Sequence, residues 1–361
     1  MKKYQYAQTT FNPCVIIFTV SKIIFFTLPA METVVSGIRP TGNLHLGNYF
    51  GAMQNFIRMQ QEQHCFFFIA DYHSLTTHPH PANLHQTVRQ VVAEYLACGI
   101  DPEQCTLYIQ SDLPETAELY LFLNMLSYVG ELERSTSFKD KIRKHADNVN
   151  AGLLTYPVLM ASDIIIHRAH KVPVGKDQEQ HLEMTRTFAS RFNRLYEVDY
   201  FPEPVAFNFS NKLVKVPGLD GSGKMGKSEG EGNAVFLVDE PEVIRKKVMK
   251  AVTDSGPTQQ NQEKPEVIQN LFTLLKLVAA NDTVQHFETV YNNCTIRYGD
   301  LKKQLAEDMI NFTAPFRERV KDYYNDTSRL HKVLSQGAEK ARASGGKTVK
   351  EVREIIGIRK F

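Results

Sequence analysis

Two short segments of the sequence combine side chains that could bind a polyphosphate. The first is Asn43-Leu44-His45-Leu46-Gly47-Asn48, between a predicted strand and a predicted helix. Gly47 has no Cβ, so a nucleotide can approach the backbone, and a helix start offers free N–H groups and a positive dipole end. His45 and Asn48 are three residues apart and can donate to one site, as developing negative charge on a phosphate requires. A capped helix with a nearby histidine would produce the same pattern.

The second segment is a pair of lysines in a glycine-rich loop. Lys224-Met225-Gly226-Lys227-Ser228 follows Gly218-Leu219-Asp220-Gly221-Ser222-Gly223. Two ammonium groups three residues apart suit a polyphosphate, and the glycines allow a loop to close and reopen. A solvated basic loop is the alternative that this segment by itself leaves open.

The pattern around these segments predicts the elements that position them. Short apolar or β-branched runs alternate with segments of helical periodicity, which is the βαβ order of an open parallel sheet. Gly37 is expected to end the first strand in a tight turn, and Gly99 to end the second helix. The predicted strands are 33–36, 65–70, 106–110 and 172–175, and the predicted helices are 47–60, 83–98, 116–129, 152–169 and 178–192.

After residue 235 the pattern is helical only. Helices are predicted at 241–250, 267–279, 284–291, 299–324, 327–343 and 349–356. The fold class is therefore α/β, with a Rossmann-like parallel-sheet catalytic domain at 31–235 and an α-helical bundle domain at 236–361. Residues 1–30 carry an apolar run that Lys22 interrupts. We expect them to be a disordered extension or to lie upstream of a true start at Met31, with a signal peptide as the alternative.

Composition narrows the classes of function. The net charge of +2 gives no global basic field, so any contact with nucleic acid must use local clusters. The five cysteines are scattered without a CxxC pair, which is typical of a reducing compartment and does not indicate a zinc or iron–sulfur site. The apolar run in residues 1–30 is too mixed to span a bilayer. We therefore expect a cytoplasmic protein with no membrane contact.

One carboxylate in an apolar helix indicates where a substrate side chain would bind. Asp163 precedes Ile164-Ile165-Ile166, and a carboxylate there is costly to bury unless a donor reaches it. Residues 172–183 then run from a strand into a helix, at the edge of a parallel sheet where ligands bind. A satisfied structural carboxylate and an ordinary connection are the alternatives.

Together these segments resemble the class I aminoacyl-tRNA synthetases. Residues 45–48 resemble the HIGH motif, with Leu46 in place of isoleucine and Asn48 in place of the second histidine. Residues 224–228 resemble the KMSKS loop, where Gly226 replaces the middle serine and adds backbone freedom. Asn48 and the stretches 36–42 and 156–183 match the tryptophan branch of the bacterial type. The resemblance extends over about residues 31–358.

The resemblance implies a reaction and a set of site residues. Tryptophan would be activated by ATP to an adenylate and transferred to tRNA(Trp), with Mg²⁺ entering with ATP and with no protein nucleophile. Asp163 would accept the indole N–H, which is a donor only. The implied tryptophan-binding residues are Val35, His73, Tyr156, Met160, Asp163 and Gln178. The implied ATP-binding residues are Arg39, Pro40, Thr41, Gly47, Asn48, Gly175, Lys176, Asp177, Val216, Lys224, Met225, Gly226, Lys227 and Ser228, and those with a catalytic role are His45, Asn48, Lys224 and Lys227.

The family also suggests partners and rivals. The helical part would read the anticodon end of the tRNA, and a homodimer is expected, with no protein-bound zinc or iron–sulfur cluster. A tyrosyl enzyme of the same fold is one rival, because its aspartate would serve a phenolic hydroxyl; the stretch Val172 to His181 favours tryptophan. An inactive synthetase-like binding protein, or a nucleotidyltransferase acting on a small molecule, is the other. The intact lysines and the full helical part argue against that second rival.

Overall fold

The computed structural model describes residues 31–144, 146–175, 178–208, 215–221, 223–226 and 232–358, together with the backbone of 14–19 and 22–27. Four of the expected ATP-binding residues, Lys176, Asp177, Lys227 and Ser228, lie outside the described residues. Within the described ranges, every helix is too short or too polar to cross a membrane.

Strands β1 (Cys14–Thr19) and β2 (Lys22–Thr27) form a two-stranded antiparallel sheet of their own, with Cys14 opposite Thr27. This hairpin differs from the disordered extension that we expected. Both strands are rich in β-branched and aromatic residues, which favour extended backbone. That the segment precedes the true start stays a prediction.

The main sheet has five parallel strands. They are β3 (Thr33–Ile38), β4 (His64–Ile69), β5 (Thr106–Ile109), β6 (Lys171–Val172) and β7 (Val205–Ala206), in the order β5-β4-β3-β6-β7. The predicted α/β class with a parallel sheet is confirmed. The chain leaves β3 toward β4 and β5 on one side and returns to β6 and β7 on the other, so the strand order reverses between β3 and β6. A reversal of this kind leaves a crevice at the carboxyl ends of the strands.

Ten α-helices precede residue 200 in the described part of the chain. They are α1 (Leu46–Asn48), α2 (Gln54–Glu62), α3 (Asp71–Ser74), α4 (Pro81–Cys98), α5 (Glu115–Asn124), α6 (Val129–Arg134), α7 (Thr136–Lys144), α8 (Ala151–Leu154), α9 (Tyr156–Ile165) and α10 (Glu179–Leu195), with a π-helical turn, Tyr49–Met53, between α1 and α2. The helix predicted at 152–169 is divided between α8 and α9. Pro157 lies in the first turn of α9, where the missing backbone N–H costs no hydrogen bond. In the interior of one continuous helix the same proline would remove a hydrogen bond and clash with the preceding turn.

The second half contains α11 (Pro241–Met249), α12 (Glu266–Val278), α13 (Asn281–Asn292), α14 (Tyr298–Asn325) and α15 (Thr327–Ile355). The prediction of two helices at 327–343 and 349–356 is wrong, because α15 runs unbroken through Gly345 and Gly346. A Cβ on Gly345 would touch Leu113 at 3.0 Å and Ile166 at 3.2 Å. Two consecutive glycines have a low helix propensity, and close packing on these side chains stabilises α15 enough to keep it continuous.

Helix α15 lies directly on the edge strand β5. A Cβ on Gly337 would come within 1.8 Å of the Leu107 carbonyl oxygen, so only glycine permits this approach. Residues of α14, such as Leu301 and Leu305, belong to the same buried cluster as Val34 and Phe67 of the sheet. The helices after residue 235 therefore share a core with the sheet, and the division into domains at residue 235 stays a prediction.

Candidate active site

A cavity of about 270 Å³ opens at the carboxyl ends of β3, β4 and β6, where the strand order reverses. The six residues expected to bind the amino acid all line it, together with Arg39 and Gly175 of the expected ATP set. Residues that the sequence did not assign to a ligand complete the lining: Ser36, Gly37, Phe68, Ala70, Ile164, Val172, Pro173 and Val174. One cavity thus collects side chains from distant parts of the chain.

Asp163 is the acidic group at the wall of this cavity. It projects from α9 and is only 2% exposed. Its Oδ1 accepts a hydrogen bond of 2.7 Å from Gln110 Nε2, and its Oδ2 lies 2.8 Å from His73 Nε2. Burial raises the pKa of Asp163, while the contacts with His73 and Gln110 act in the opposite direction. The two donors allow a carboxylate to exist in apolar surroundings.

His73, Tyr156 and His181 form a row of rings beside Asp163. The ring centres of His73 and Tyr156 are 4.3 Å apart, and those of Tyr156 and His181 are 6.0 Å apart. His181 Nδ1 lies 2.9 Å from Gln178 Oε1, so the histidine holds this glutamine at the start of α10. His73 Nδ1 is buried and has no hydrogen-bond partner among the described residues. Polar groups on one side of the cavity are therefore held in place by neighbours outside it.

A further part of the cavity wall depends on a glycine in strand β3. Gly37 was expected to end the strand in a tight turn, but β3 continues through Ile38. A Cβ on Gly37 would lie 2.3 Å from the Phe68 ring. Without it, the ring of Phe68 lies against the backbone of β3 and forms a flat apolar surface, with Val35 beside it.

The first predicted phosphate segment forms a reciprocal helix cap. His45 Nδ1 accepts from the Asn48 backbone N–H at 3.2 Å, and Asn48 Oδ1 accepts from the His45 backbone N–H at 3.0 Å. A Cβ on Gly47 would lie 2.8 Å from His45 Nδ1, so the glycine makes room for the imidazole ring. The cap fixes both side chains at the start of α1. The capped helix, the alternative to a phosphate site at this segment, is thus present, and the phosphate contacts of His45 and Asn48 stay a prediction.

The two segments predicted to bind phosphate lie side by side. Met225 is 1% exposed, and its Cβ lies 3.4 Å from the Cβ position of Gly47. Its backbone N–H donates to the Val216 carbonyl at 2.7 Å. Residues after the loop bind the first segment, because Leu46 N–H donates to Val235 O and Leu237 N–H to Leu44 O, both at 2.9 Å. Buried apolar anchors therefore bring the start of α1 and the lysine loop together.

The remaining described residues of the expected ATP set lie near these segments in the chain. Arg39, Pro40 and Thr41 form the turn that follows β3, where Thr41 N–H donates to Arg39 O at 2.8 Å. Asn233 Nδ2 donates to the Lys224 carbonyl at 3.3 Å and connects the lysine loop to the chain that follows it. Val216 is buried, so only its backbone could reach a ligand.

Comparison with known proteins assigns the family. The family described as tRNA synthetases class I (W and Y) matches residues 31–314. The tryptophan–tRNA ligase of Porphyromonas gingivalis is 64% identical over 329 residues, which are 91% of this chain and 100% of that protein. The tryptophan–tRNA ligase of Clostridium tetani is 40% identical and covers 90% of this chain and 96% of that protein. The chain belongs to the tryptophan–tRNA ligase family of class I synthetases.

The fold supports the same assignment. A crystal structure of the tryptophanyl-tRNA synthetase of Campylobacter jejuni, complexed with ADP and tryptophan, is similar to this chain with a TM-score of 0.81 and 33% identity. The match covers 90% of this chain and 99% of that chain. The resemblance stated from the sequence, to the bacterial tryptophan branch of class I synthetases, is confirmed.

Sequence reasoning missed three buried polar residues of this synthetase. Gln110 donates to Asp163, and His181 orients Gln178. Glu94 is completely buried in α4 and accepts from the Leu44 backbone N–H at 2.7 Å, next to His45. Glu94 could have been found from the sequence, because a single carboxylate among Val91, Val92, Ala93 and Tyr95-Leu96 indicates a buried group with a partner. The indication for Gln110 was weaker, because it is only the polar residue at the end of a predicted strand.

Proposed function

We propose that this chain uses ATP to activate L-tryptophan as tryptophanyl-adenylate and transfers the tryptophanyl group to tRNA(Trp). The observation that carries the choice of amino acid is the buried carboxylate of Asp163 at the wall of a 270 Å³ cavity. The indole N–H is a donor without acceptor capacity, so it requires such a group. A side chain that lacks this donor would leave the carboxylate short of a partner, which disfavours its binding.

The remaining lining residues would orient the amino acid. Val35 and Met160 would offer apolar surface to the indole ring, and His73 would lie at its edge. Tyr156 and Gln178 would hold the α-ammonium group, since a hydroxyl oxygen and an amide oxygen both accept. The His181 contact to Gln178 Oε1 supports this assignment, because it fixes the side chain of Gln178 before a substrate arrives.

The adenylate would form by attack of the tryptophan carboxylate on the α-phosphorus of ATP, with pyrophosphate as the leaving group. His45 and Asn48 would face the phosphates at the start of α1, and Lys224 and Lys227 would stabilise the departing pyrophosphate. The adjacency of Met225 and Gly47 supports a shared site for both segments. Mg²⁺ would enter bound to the ATP phosphates, whose oxygens are the ligands it prefers.

Partners beyond the small molecules are also proposed. The helices after residue 235 would contact the anticodon end of the tRNA, and the protein would act in the cytoplasm, where tRNA is charged. A homodimer is supported by an apolar surface formed by Leu121, Met125, Tyr128 and Val129, each more than half exposed. Clustered exposed apolar side chains at the end of α5 and the start of α6 suit an interface between two copies.

The test is ATP–pyrophosphate exchange with each of the twenty amino acids, followed by charging of tRNA(Trp). Exchange with tryptophan, and with no other amino acid at a comparable kcat/KM, is expected. Exchange with tyrosine alone would overturn the choice of substrate. Tryptophan-dependent exchange without charging of tRNA would overturn the transfer step, and no exchange at saturating ATP would favour an inactive synthetase-like protein.

A further inference from the structure

Gln110 is a completely buried amide that the reaction described above does not use. It follows strand β5 in a short 3₁₀ turn, Gln110–Asp112. Its Nε2 donates to Asp163 Oδ1 at 2.7 Å, the shorter of the two hydrogen bonds to that carboxylate. The residue is 0% exposed, so no water competes for either end of its amide.

The orientation of this amide is fixed by the backbone. Gln110 Oε1 accepts from the Tyr72 N–H at 3.1 Å, and a backbone N–H can only donate. The amide oxygen must therefore face Tyr72, and the NH₂ group must face Asp163. A group that only donates in turn requires an acceptor, so this contact favours an ionised Asp163.

We propose that Gln110 is a positioning and specificity residue of the tryptophan site, which holds Asp163 as a hydrogen-bond acceptor and so selects side chains that donate an N–H. The inference rests on the proposed function, since it assigns a role within the same pocket. Gln110 acts through Asp163, and it is not itself assigned a contact with substrate.

The charges around Asp163 decide the direction of its response to pH. His73 on α3 lies against Oδ2, and Asp71 on the same helix raises the pKa of Asp163 through its negative charge. Burial raises the pKa values of the phenols of Tyr108 on β5 and Tyr156 on α9, and the negative charge of Asp163 raises them further. Burial is the largest influence and favours the protonated acid. Removal of the Gln110 donor therefore moves protonation of Asp163 to higher pH.

Two substitutions give opposite predictions. Gln110→Met removes the donor, and Tyr72 N–H keeps an acceptor in Asp71 Oδ1 at 3.0 Å. The KM for tryptophan should rise on the order of tenfold near neutral pH, and further as the pH falls and Asp163 takes a proton. Gln110→Glu places a second carboxyl group against Asp163. One shared proton restores a donor at low pH, and the KM for tryptophan should rise as the pH increases and both groups ionise.

The experiment measures KM for tryptophan and for ATP by pyrophosphate exchange between about pH 6 and pH 9, with the full-length protein. Gln60→Met is the matched control. Gln60 is also buried and makes two hydrogen bonds, to Gly99 O at 3.0 Å and from Asp101 N–H at 2.9 Å, but it does not line the cavity. The control should lower stability without a pH-dependent change in KM for tryptophan.

Opposite pH slopes for the two Gln110 variants, with KM for ATP changed by less than about twofold, support the inference. Equal rises in KM for tryptophan and ATP, or a flat pH profile in both variants, would overturn it. If Gln110→Met does not fold, the nearly isosteric Gln110→Glu is sufficient for the test. A dependence of its KM for tryptophan on pH that parallels the wild type would then refute the inference. Pyrophosphate exchange by the wild type with tryptophan distinguishes failure of the proposed function from failure of the Gln110 inference. If the wild type shows no exchange, the proposed function is refuted. If it shows exchange and the variants have the same KM for tryptophan as the wild type, only the role of Gln110 is refuted.

Discussion

Replacement of Gly337 by alanine should separate helix α15 from the sheet. The new Cβ would lie 1.8 Å from the Leu107 carbonyl oxygen and 2.7 Å from its carbonyl carbon. These are backbone atoms, so no change of side-chain rotamer can relieve the overlap. Either α15 or strand β5 must move by about 1.5 Å or more to reach ordinary contact.

The magnitude follows from two opposing effects. Overpacking of a well-packed interior costs about 1–3 kcal/mol or more, and backbone overlap lies at the upper end of that range. Alanine in place of glycine within a helix returns about 1 kcal/mol. We therefore expect Gly337→Ala to lower the free energy of unfolding by about 2 kcal/mol or more.

Two further glycines of the same helix supply graded controls. A Cβ on Gly346 would meet only Glu115 Oε1 at 3.6 Å, so Gly346→Ala should stabilise the protein by up to about 1 kcal/mol through helix propensity. A Cβ on Gly345 would meet side-chain methyl groups at 3.0 Å, which can shift. Gly345→Ala should therefore fall between the other two variants.

Urea unfolding at 25 °C, followed by circular dichroism, measures the midpoint and slope for each variant. The urea midpoint should be highest for Gly346→Ala and lowest for Gly337→Ala. The wild type and Gly345→Ala should lie between these two variants. A Gly337→Ala protein as stable as Gly346→Ala would refute the close packing of α15 on β5. A change in slope would indicate separate unfolding of the helices after residue 235.

The remaining predictions concern the site and its buried charges. Asp163→Asn keeps the shape of the side chain but exchanges one acceptor for a donor, so KM for tryptophan should rise tenfold or more while KM for ATP changes little; equal changes in pyrophosphate exchange would mean that Asp163 is structural. Glu94→Ala leaves the buried Leu44 N–H without its acceptor beside His45 and should raise KM for ATP more than KM for tryptophan, whereas Glu94→Gln, which keeps an acceptor, should not. Burial lowers the pKa of His167 from 6.5 to about 3, so the unfolded chain takes up a proton in this window and the folded chain does not. Stability should therefore fall as the pH decreases from 6.5 toward 3, by up to about 1.4 kcal/mol per unit, and urea unfolding of His167→Gln should show a correspondingly shallower dependence.

The candidate site could be anticipated wherever its chemistry is local in the sequence. His45, Gly47 and Asn48 form one helix start, and the capping pair that holds them spans three residues. The position of Asp163 was predicted from its contrast with the apolar residues around it. Its partners could not be predicted, because Gln110 and His73 reach it from other elements and an amide at the end of a strand has many ordinary roles.

The sequence by itself determined the order of the elements, the parallel sheet and the family motifs at residues 45–48 and 224–228, because hydrophobic periodicity, glycines and motif spacing are properties of neighbouring residues. Tertiary structure decided how distant segments meet. The predicted break between residues 343 and 349 contains Gly345 and Gly346, yet packing of Gly345 on Leu113 and Ile166 keeps α15 continuous. Gly37 indicated a turn, yet its missing Cβ makes space for the ring of Phe68. The physical reason is the same in both cases: local preferences of about 1 kcal/mol per residue are overridden when the contacts made by the folded chain are worth more.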